Sequence, residues 1–215
     1  IVLRVVMPVP AHLLSFLLAM LLIELTPGPN MGYLAIVAGR FGRLAGFATI
    51  AGVTAGLAAY MLLSVFGLTE VILQAAWLYS LLRWAGVAYL LWLAWDTWRG
   101  EAATGPGDVV IEPSRIRLVW RGFLANILNP KAAVFYIALL PGFTDPGRPF
   151  AAQALGLGLI HIAVALAIHS IIVLAAARAS PMLARLSDGE GARVRAAFAI
   201  ALALIAAWLA WATRR

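Results

Sequence analysis

Apolar positions in this chain fall in long runs, not in the 3.6-residue or two-residue alternation of surface helices and strands. Short clusters of arginine, glycine, proline or acidic residues separate the runs. A helix needs about 20 mostly apolar residues to cross a bilayer. Six runs are candidates: His12 to Gly39, Leu44 to Leu68, Leu78 to Trp98, Val119 to Phe143, Phe150 to Ala177 and Arg195 to Ala212. Residues 71–77 extend the second or the third. The first run is interrupted at TPGPN (26–30) and the fourth at NILNPKAA (126–133). Two connections are long: 99–118, RGEAATGPGDVVIEPSRIRL, a Gly/Pro-rich charged loop, and 178–194, RASPMLARLSDGEGARV. The pattern predicts an all-α integral membrane protein of six transmembrane helices, the first and fourth broken at proline motifs.

The breaks fall at matching places. Each is followed by an apolar half-helix, a short basic or glycine-containing turn, and a glycine-containing helix, FATIAGVTAGLAAY in one half and AAQALGLGLIHIAV in the other. Three helices per unit is an odd number, so two such units insert with opposite orientation. The expected organisation is a 3+3 inverted repeat, residues 1–98 and 119–215, joined by the cytoplasmic loop 99–118. Paired Pro/Gly interruptions in corresponding helices point to a transporter site near mid-membrane.

Composition sharpens this. The chain is 64% hydrophobic and 12% charged, against roughly half and a quarter in soluble domains, and its mean hydropathy is +0.96. The absence of cysteine excludes disulfide frameworks, thiol redox chemistry and thiolate metal sites. A net charge of +7 would suit nucleic acid, but the arginines sit between apolar runs, as in loops beside a membrane, so no nucleic-acid partner is expected. Arg40, Arg43, Arg99, Arg115, Arg117, Arg121, Arg178, Arg185, Arg193 and Arg195 fall on one side. Arg4, Arg148, Arg214 and Arg215 fall on the other, joined by Arg83 if it snorkels outward. The first side is then cytoplasmic and both termini periplasmic. The chain opens IVLRVVMPVP without an initiator Met; Met7 is the candidate start, with residues 1–6 vector-derived or misassigned. No small-residue cleavage site ends the first apolar run, which reads as a retained helix.

Chemistry concentrates at the breaks. Pro27 and Pro29 cannot both continue a helix, and Gly28 lets the chain turn. The freed carbonyl and N–H groups would each cost several kcal/mol facing lipid, so the break faces protein or water. A half-helix starting near Pro29 or Asn30 points a positive end into that space, which favours an anion such as a carboxylate. The plain alternative is a proline kink. Glu24, just before the break, costs roughly 2.5–3.5 kcal/mol at mid-membrane unless it faces inward. It either carries a proton, binds a substrate ammonium, or serves structurally by pairing with Lys131 or capping a helix. Lys131 is the only lysine among sixteen basic residues; it binds a carboxylate, pairs with Glu24, or snorkels to the interface. Thr26, Asn30, Asn126, Asn129 and Pro130 complete the candidate substrate site. The asparagines either cap the half-helices or touch substrate. His161 and His169, eight residues apart, lie on similar faces of the fifth helix, as a proton relay or as hydrogen-bonded packing. Neither has a carboxylate in its own helix, so no metal is expected, and no cofactor is implied. Gly42, Gly46, Gly52 and Gly56 include two small-xxx-small spacings, for internal packing or a homodimer. Trp77, Trp84, Trp92, Trp95, Trp98 and Trp120 are read as including membrane-interface anchors.

LTPGPN in the first helix, LLRWAGVAYLLWLAWDTWR in the third and RGFLANILNPKAAVFYIALLPGF in the fourth resemble the LysE/RhtB amino-acid exporter family, with likeness from about residue 12 to 212. The resemblance implies a small bacterial inner-membrane carrier that exports amino acids or close derivatives by proton exchange: threonine, homoserine, homoserine lactone, leucine-like or basic amino acids. The family's motifs correspond here to Thr26–Asn30 and Asn126–Lys131; Glu24 and His161 are the candidates for proton coupling. Membrane thiol-disulfide carriers share broken first and fourth helices, but a chain without cysteine cannot do that chemistry. No GxxxxGK[ST], HExxH or GxSxG appears, so neither ATP drive nor an enzyme is expected. The alternatives are a non-transporting scaffold, a lipid-binding module, or an efflux carrier for another small solute.

Overall fold

Proline and glycine set where the helices stop. In the computed structural model, which describes residues 13–26, 28–67, 76–99, 113–186 and 191–212, helix α1 (Leu13–Leu25) ends just before the first break and α2 (Pro29–Val65) starts just after it. There follow α3 (Ala76–Arg99), α4 (Arg115–Ile127) and a short α5 (Pro130–Val134). Residues Phe135–Leu139 then wind as a π-helix and Leu140–Phe143 as a 3₁₀ turn. Pro141 explains the change of winding: it has no N–H to donate, and its ring crowds the carbonyl four residues back. Finally come α6 (Phe150–Leu186) and α7 (Gly191–Ala212). The described residues contain no strand.

Three boundaries differ from the sequence expectation. Residues 40–43 were expected to separate two spans, yet α2 is continuous apart from a kink at Gly42, whose φ of 81° and ψ of 178° few L-residues adopt. One glycine does the work of the turn. Unbent, 37 residues would extend about 55 Å, well beyond a hydrocarbon core of about 30 Å. Residues 178–186 belong to α6 instead of a loop, because apolar length limits what crosses a bilayer, not how far a helix continues past it. Likewise α4 starts at Arg115, inside the expected 99–118 loop. Residues 68–75, 100–112 and 187–190 lie outside the described residues, as do Pro27 and the opening decapeptide.

Among the described residues two helices, Pro29–Val65 and Phe150–Ala179, are long and apolar enough to cross a membrane. Their faces are arranged inside-out relative to a soluble protein. On α6 the buried stripe is Gln153, Leu157, His161, Ala165, His169 and Val173, one residue in four, while Leu155, Leu159, Leu166, Ile171 and Leu174 are exposed. On α1, Phe16, Met20 and Glu24 are buried, and Leu14, Leu18, Leu22 and Leu25 face out. The ionisable groups thus point inward and the leucines outward, as expected where the surroundings are hydrocarbon. All six tryptophans named above are exposed, but the five on α3 are spread along it instead of being confined to its ends, and Trp120 lies on α4.

Helix α2 is the hub, packed chiefly on α6 and α4, while α3 pairs with α7 and α1 lies on α6. Small residues allow the α2–α4 contact. A Cβ on Gly52 would collide with the Val119 carbonyl of α4, and one on Gly122 of α4 with the Thr49 carbonyl of α2. Gly56 faces Asn126, and Gly46 faces Val173 of α6. These glycines therefore serve contacts within the chain. The expected consequence is that Gly52→Ala, one methyl group, destabilises the protein by about 1–3 kcal/mol through overpacking. Thermal unfolding in mild detergent checks this against Gly142→Ala, where nothing lies within 4 Å and no change is expected.

Candidate functional site at the two helix breaks

Each break leaves backbone groups that the helix no longer satisfies, and the second set of partners comes from across the molecule. At the first, the Thr26 N–H and hydroxyl both donate to the Leu22 carbonyl, at 3.1 and 2.7 Å. Gly28 is extended (φ −145°, ψ 172°), and Pro29 takes the first helical position, where its missing N–H costs nothing. At the second, the Asn129 side chain accepts from the Lys131 N–H at 3.0 Å and Pro130 again starts the helix. The Thr26 carbonyl receives the Lys131 ammonium at 3.0 Å. The Ile127 carbonyl receives the Tyr60 hydroxyl at 2.6 Å. Asn30 Nδ2 donates to Asn126 Oδ1 at 2.6 Å, joining two residues 96 positions apart. On α3, Gly86 has no side chain to keep the Leu128 carbonyl away.

Between the breaks lies a small cavity of about 20 Å³, room for about one water molecule. Ile23, Met31, Leu57, Ala132 and Phe135 supply apolar walls; Glu24, Gly28, Asn30, Asn126, Asn129, Lys131, His161 and His169 supply polar ones. Glu24 reaches two histidines: Oε1 lies 3.1 Å from His161 Nε2, and Oε2 lies 3.6 Å from His169 Nε2. The other ring nitrogen of His161, Nδ1, is 3.2 Å from the Tyr136 hydroxyl. Tyr136 in turn stacks on Tyr60, with ring centres 6.1 Å apart, and Phe135 packs against His161 at 4.1 Å. In the asparagine pair, Asn30 Oδ1 and Asn126 Nδ2 are buried without a partner. The walls therefore bring a cation and an anion together, the complement of a zwitterion, with an unpartnered amide oxygen and nitrogen buried beside them.

Thr26, Gly28, Pro29, Asn30, Asn126, Asn129, Pro130 and Lys131 all come from the two segments that meet here; Pro27 lies outside the described residues. Some expectations need correcting. Glu24 and Lys131 do not choose each other: the carboxylate turns to the histidines and the ammonium to a freed carbonyl. Of the three asparagines only Asn129 caps a helix, while Asn30 and Asn126 bind one another. The histidines lack a carboxylate in their own helix but receive one from α1. Sequence reasoning missed Tyr136 and Tyr60 as members of the site. Linear spacing held no signal for either, since each acts through contacts with a distant segment.

A family model described as LysE type translocator matches residues 21–213. Among curated relatives, a homoserine/homoserine lactone efflux protein of Salmonella typhimurium is 35% identical over 150 residues, covering 70% of this chain and 73% of its own. A leucine efflux protein of Klebsiella pneumoniae is 30% identical over 154 residues, 68% of this chain and 72% of that one. A threonine efflux protein of Escherichia coli is 28% identical over 116 residues, 52% and 56% respectively. No solved structure matches.

The asparagine bond between the breaks has a measurable energy. Replacing Asn30 or Asn126 by Ala strands its partner, and the double variant should lose less than the sum. A double-mutant cycle on thermal stability in lipid micelles is expected to give a coupling of about 0.6–1.7 kcal/mol, the range for hydrogen bonds between membrane helices. Strict additivity would mean that the bond contributes nothing.

Proposed function

The chain belongs to the LysE type translocator family, and from that premise we propose that it exports amino acids or close derivatives across a bacterial inner membrane by proton antiport with alternating access. A translocator needs a polar pocket that an apolar shell can close on either side. The observation that carries the reading is the cavity between the two breaks, where Lys131 and Glu24 stand with the unpartnered amide atoms of Asn30 and Asn126. Substrate carboxylate is assigned to Lys131 and the α2 N-terminus, and substrate ammonium to Glu24 or the Thr26 carbonyl. Thr26 to Asn30, with Asn126, Asn129, Pro130 and Lys131, form the substrate site. Homoserine, its lactone, threonine and leucine are the first compounds to try, because the relatives are named for their efflux.

In the same proposal six spans form a 3+3 inverted repeat, residues 1–98 and 119–215. Helix α1 with the first arm of α2 makes the first broken span, and α4 with α5 and the following turns makes the fourth. Loop 99–118 is cytoplasmic and both termini are periplasmic, by the arginine distribution. Rocking of one repeat against the other exposes the site alternately. Glu24, with His161 bonded to its Oε1, forms the proton-coupling site. A scaffold or lipid-binding module would have no use for a carboxylate held by imidazoles at this depth.

Efflux of labelled homoserine, threonine, leucine and lysine from proteoliposomes, with and without a pH gradient, tests this. The expected result is flux of at least one of them, enhanced by the gradient. Glu24→Gln and Lys131→Ala are each expected to reduce it about tenfold or more, equivalent to about 1.4 kcal/mol, while still eluting as folded protein. No flux from folded wild type would remove the exporter reading, and wild-type behaviour of both variants would remove the site assignment.

A further inference from the structure

Glu24 enters α6 from the side, between two histidines of the same buried stripe. Eight residues of helix separate the levels of His161 and His169 by about 12 Å, and Ala165 lies midway on that stripe, fully buried. The stretch Phe150–Ala179 is the part of α6 apolar enough to span a bilayer, so Glu24 meets it near the centre. The carboxylate divides its oxygens: one serves His161 at 3.1 Å and the other faces His169 at 3.6 Å. The two imidazoles are not equivalent. Both nitrogens of His161 are engaged, Nε2 by Glu24 and Nδ1 by the Tyr136 hydroxyl at 3.2 Å. When that hydroxyl donates to Nδ1, the ring proton sits on Nε2 and points at Glu24 Oε1. His161 is thereby locked in tautomer and orientation. His169 has no such lock. Its ring lines the cavity, among the described residues no hydrogen bond reaches it, and 3.6 Å is just outside hydrogen-bond reach.

We propose that His169 loads and unloads the coupling proton of Glu24 through Oε2, while His161, oriented by Tyr136, holds Oε1. The step balances within the pair. An imidazolium Nε2–H at His169 gives its proton to the carboxylate, leaving neutral imidazole and a carboxylic acid; the reverse step returns it. Water in the cavity supplies and receives the proton at His169. Closing the joint takes a few tenths of an ångström, so small relative movement of α1 and α6 switches it. Three other titratable groups face the cluster: Lys131 of α5, whose ammonium rests on the Thr26 carbonyl, Tyr136 of the π segment, and Tyr60 of α2, which stacks on Tyr136 and gives its hydroxyl to Ile127. None of them approaches Oε2 as His169 does. The proposal deepens the antiport reading above and rests on it for the source of the proton.

Two measurements on His169→Gln test the assignment, since Gln keeps a polar side chain but cannot carry a proton. The first needs no transport. In purified protein in lipid, the protonated-carboxyl C=O stretch that disappears in Glu24→Gln is followed by infrared spectroscopy after a pH jump. Its appearance is expected to slow about tenfold or more in His169→Gln. The second uses L-homoserine, L-threonine or L-leucine, whichever the wild type carries, in proteoliposomes. The ratio of flux driven by a pH gradient to exchange of labelled for unlabelled substrate, which needs no net proton movement, is expected to fall about tenfold. An unchanged infrared rate overturns the proposal, as does equal loss of exchange and driven flux in a folded protein. Wild type that carries none of these compounds defeats the exporter reading instead, and the infrared result still decides the role of His169.

Discussion

The region around the two breaks follows from one constraint: a peptide group released from its helix and shut away from water must find another partner. Pro29 and Pro130 release such groups in two places, and neither segment can satisfy itself completely. The carbonyl of Thr26 takes the ammonium of Lys131, and that of Ile127 takes the hydroxyl of Tyr60. Each break is therefore completed by a side chain from a different part of the chain. The breaks meet because they need one another, and the cavity is the space left where they do so.

That mutual need shapes the surrounding packing. Helix α4 can bring Asn126 to Asn30 only if it lies close to α2, and the glycines at 52, 56 and 122 remove the side chains that would hold the two backbones apart. On the other flank α6 presents its histidines to α1. Its outward leucines interact equally well with lipid whatever their rotation, so the inward polar contacts are what fix its register. Without a hydrophobic force between helices, close packing and polar bonds do the orienting, and here both converge on the same few residues.

Much of this could be read from the sequence, because the signals were local. Pro27, Gly28 and Pro29 forbid a regular helix whatever surrounds them, and Asn129-Pro130 does the same farther along. Run length marked α2 and α6, the two helices among the described residues long and apolar enough for a membrane, and Glu24 within an apolar run had to face inward. What could not be read was pairing at a distance. The sequence offered Lys131 as a partner of Glu24, and only the relative placement of α1, α5 and α6 gives it the histidines instead. Tyr136 looked like one more aromatic in an apolar stretch. The single-residue turn at Gly42 and the extension of α6 to Leu186 were misjudged for a different reason: hydropathy measures solvent preference, and a helix need not end where that preference changes.

The Lys131–Thr26 bond shows how occupancy of the cavity and closure of the first break are linked under the exporter reading. An ammonium gains a full charge–charge attraction from a carboxylate that a neutral carbonyl does not offer, so under that reading a bound carboxylate would outcompete the Thr26 carbonyl for the ammonium. That carbonyl is then left without the partner that fixed the end of α1, and the substrate's own ammonium is the nearest replacement donor. An amino acid satisfies both groups at once; a carboxylic acid lacking the amine would free the carbonyl and leave it bare. Glu24 sits two residues before Thr26 on the same turn, so whatever moves the end of α1 also moves the carboxylate relative to His161 and His169. Under the exporter reading the order of events would lie in one helical turn: the ligand exchanges a hydrogen bond at Thr26, the turn shifts, and the carboxylate changes its distance to the imidazoles.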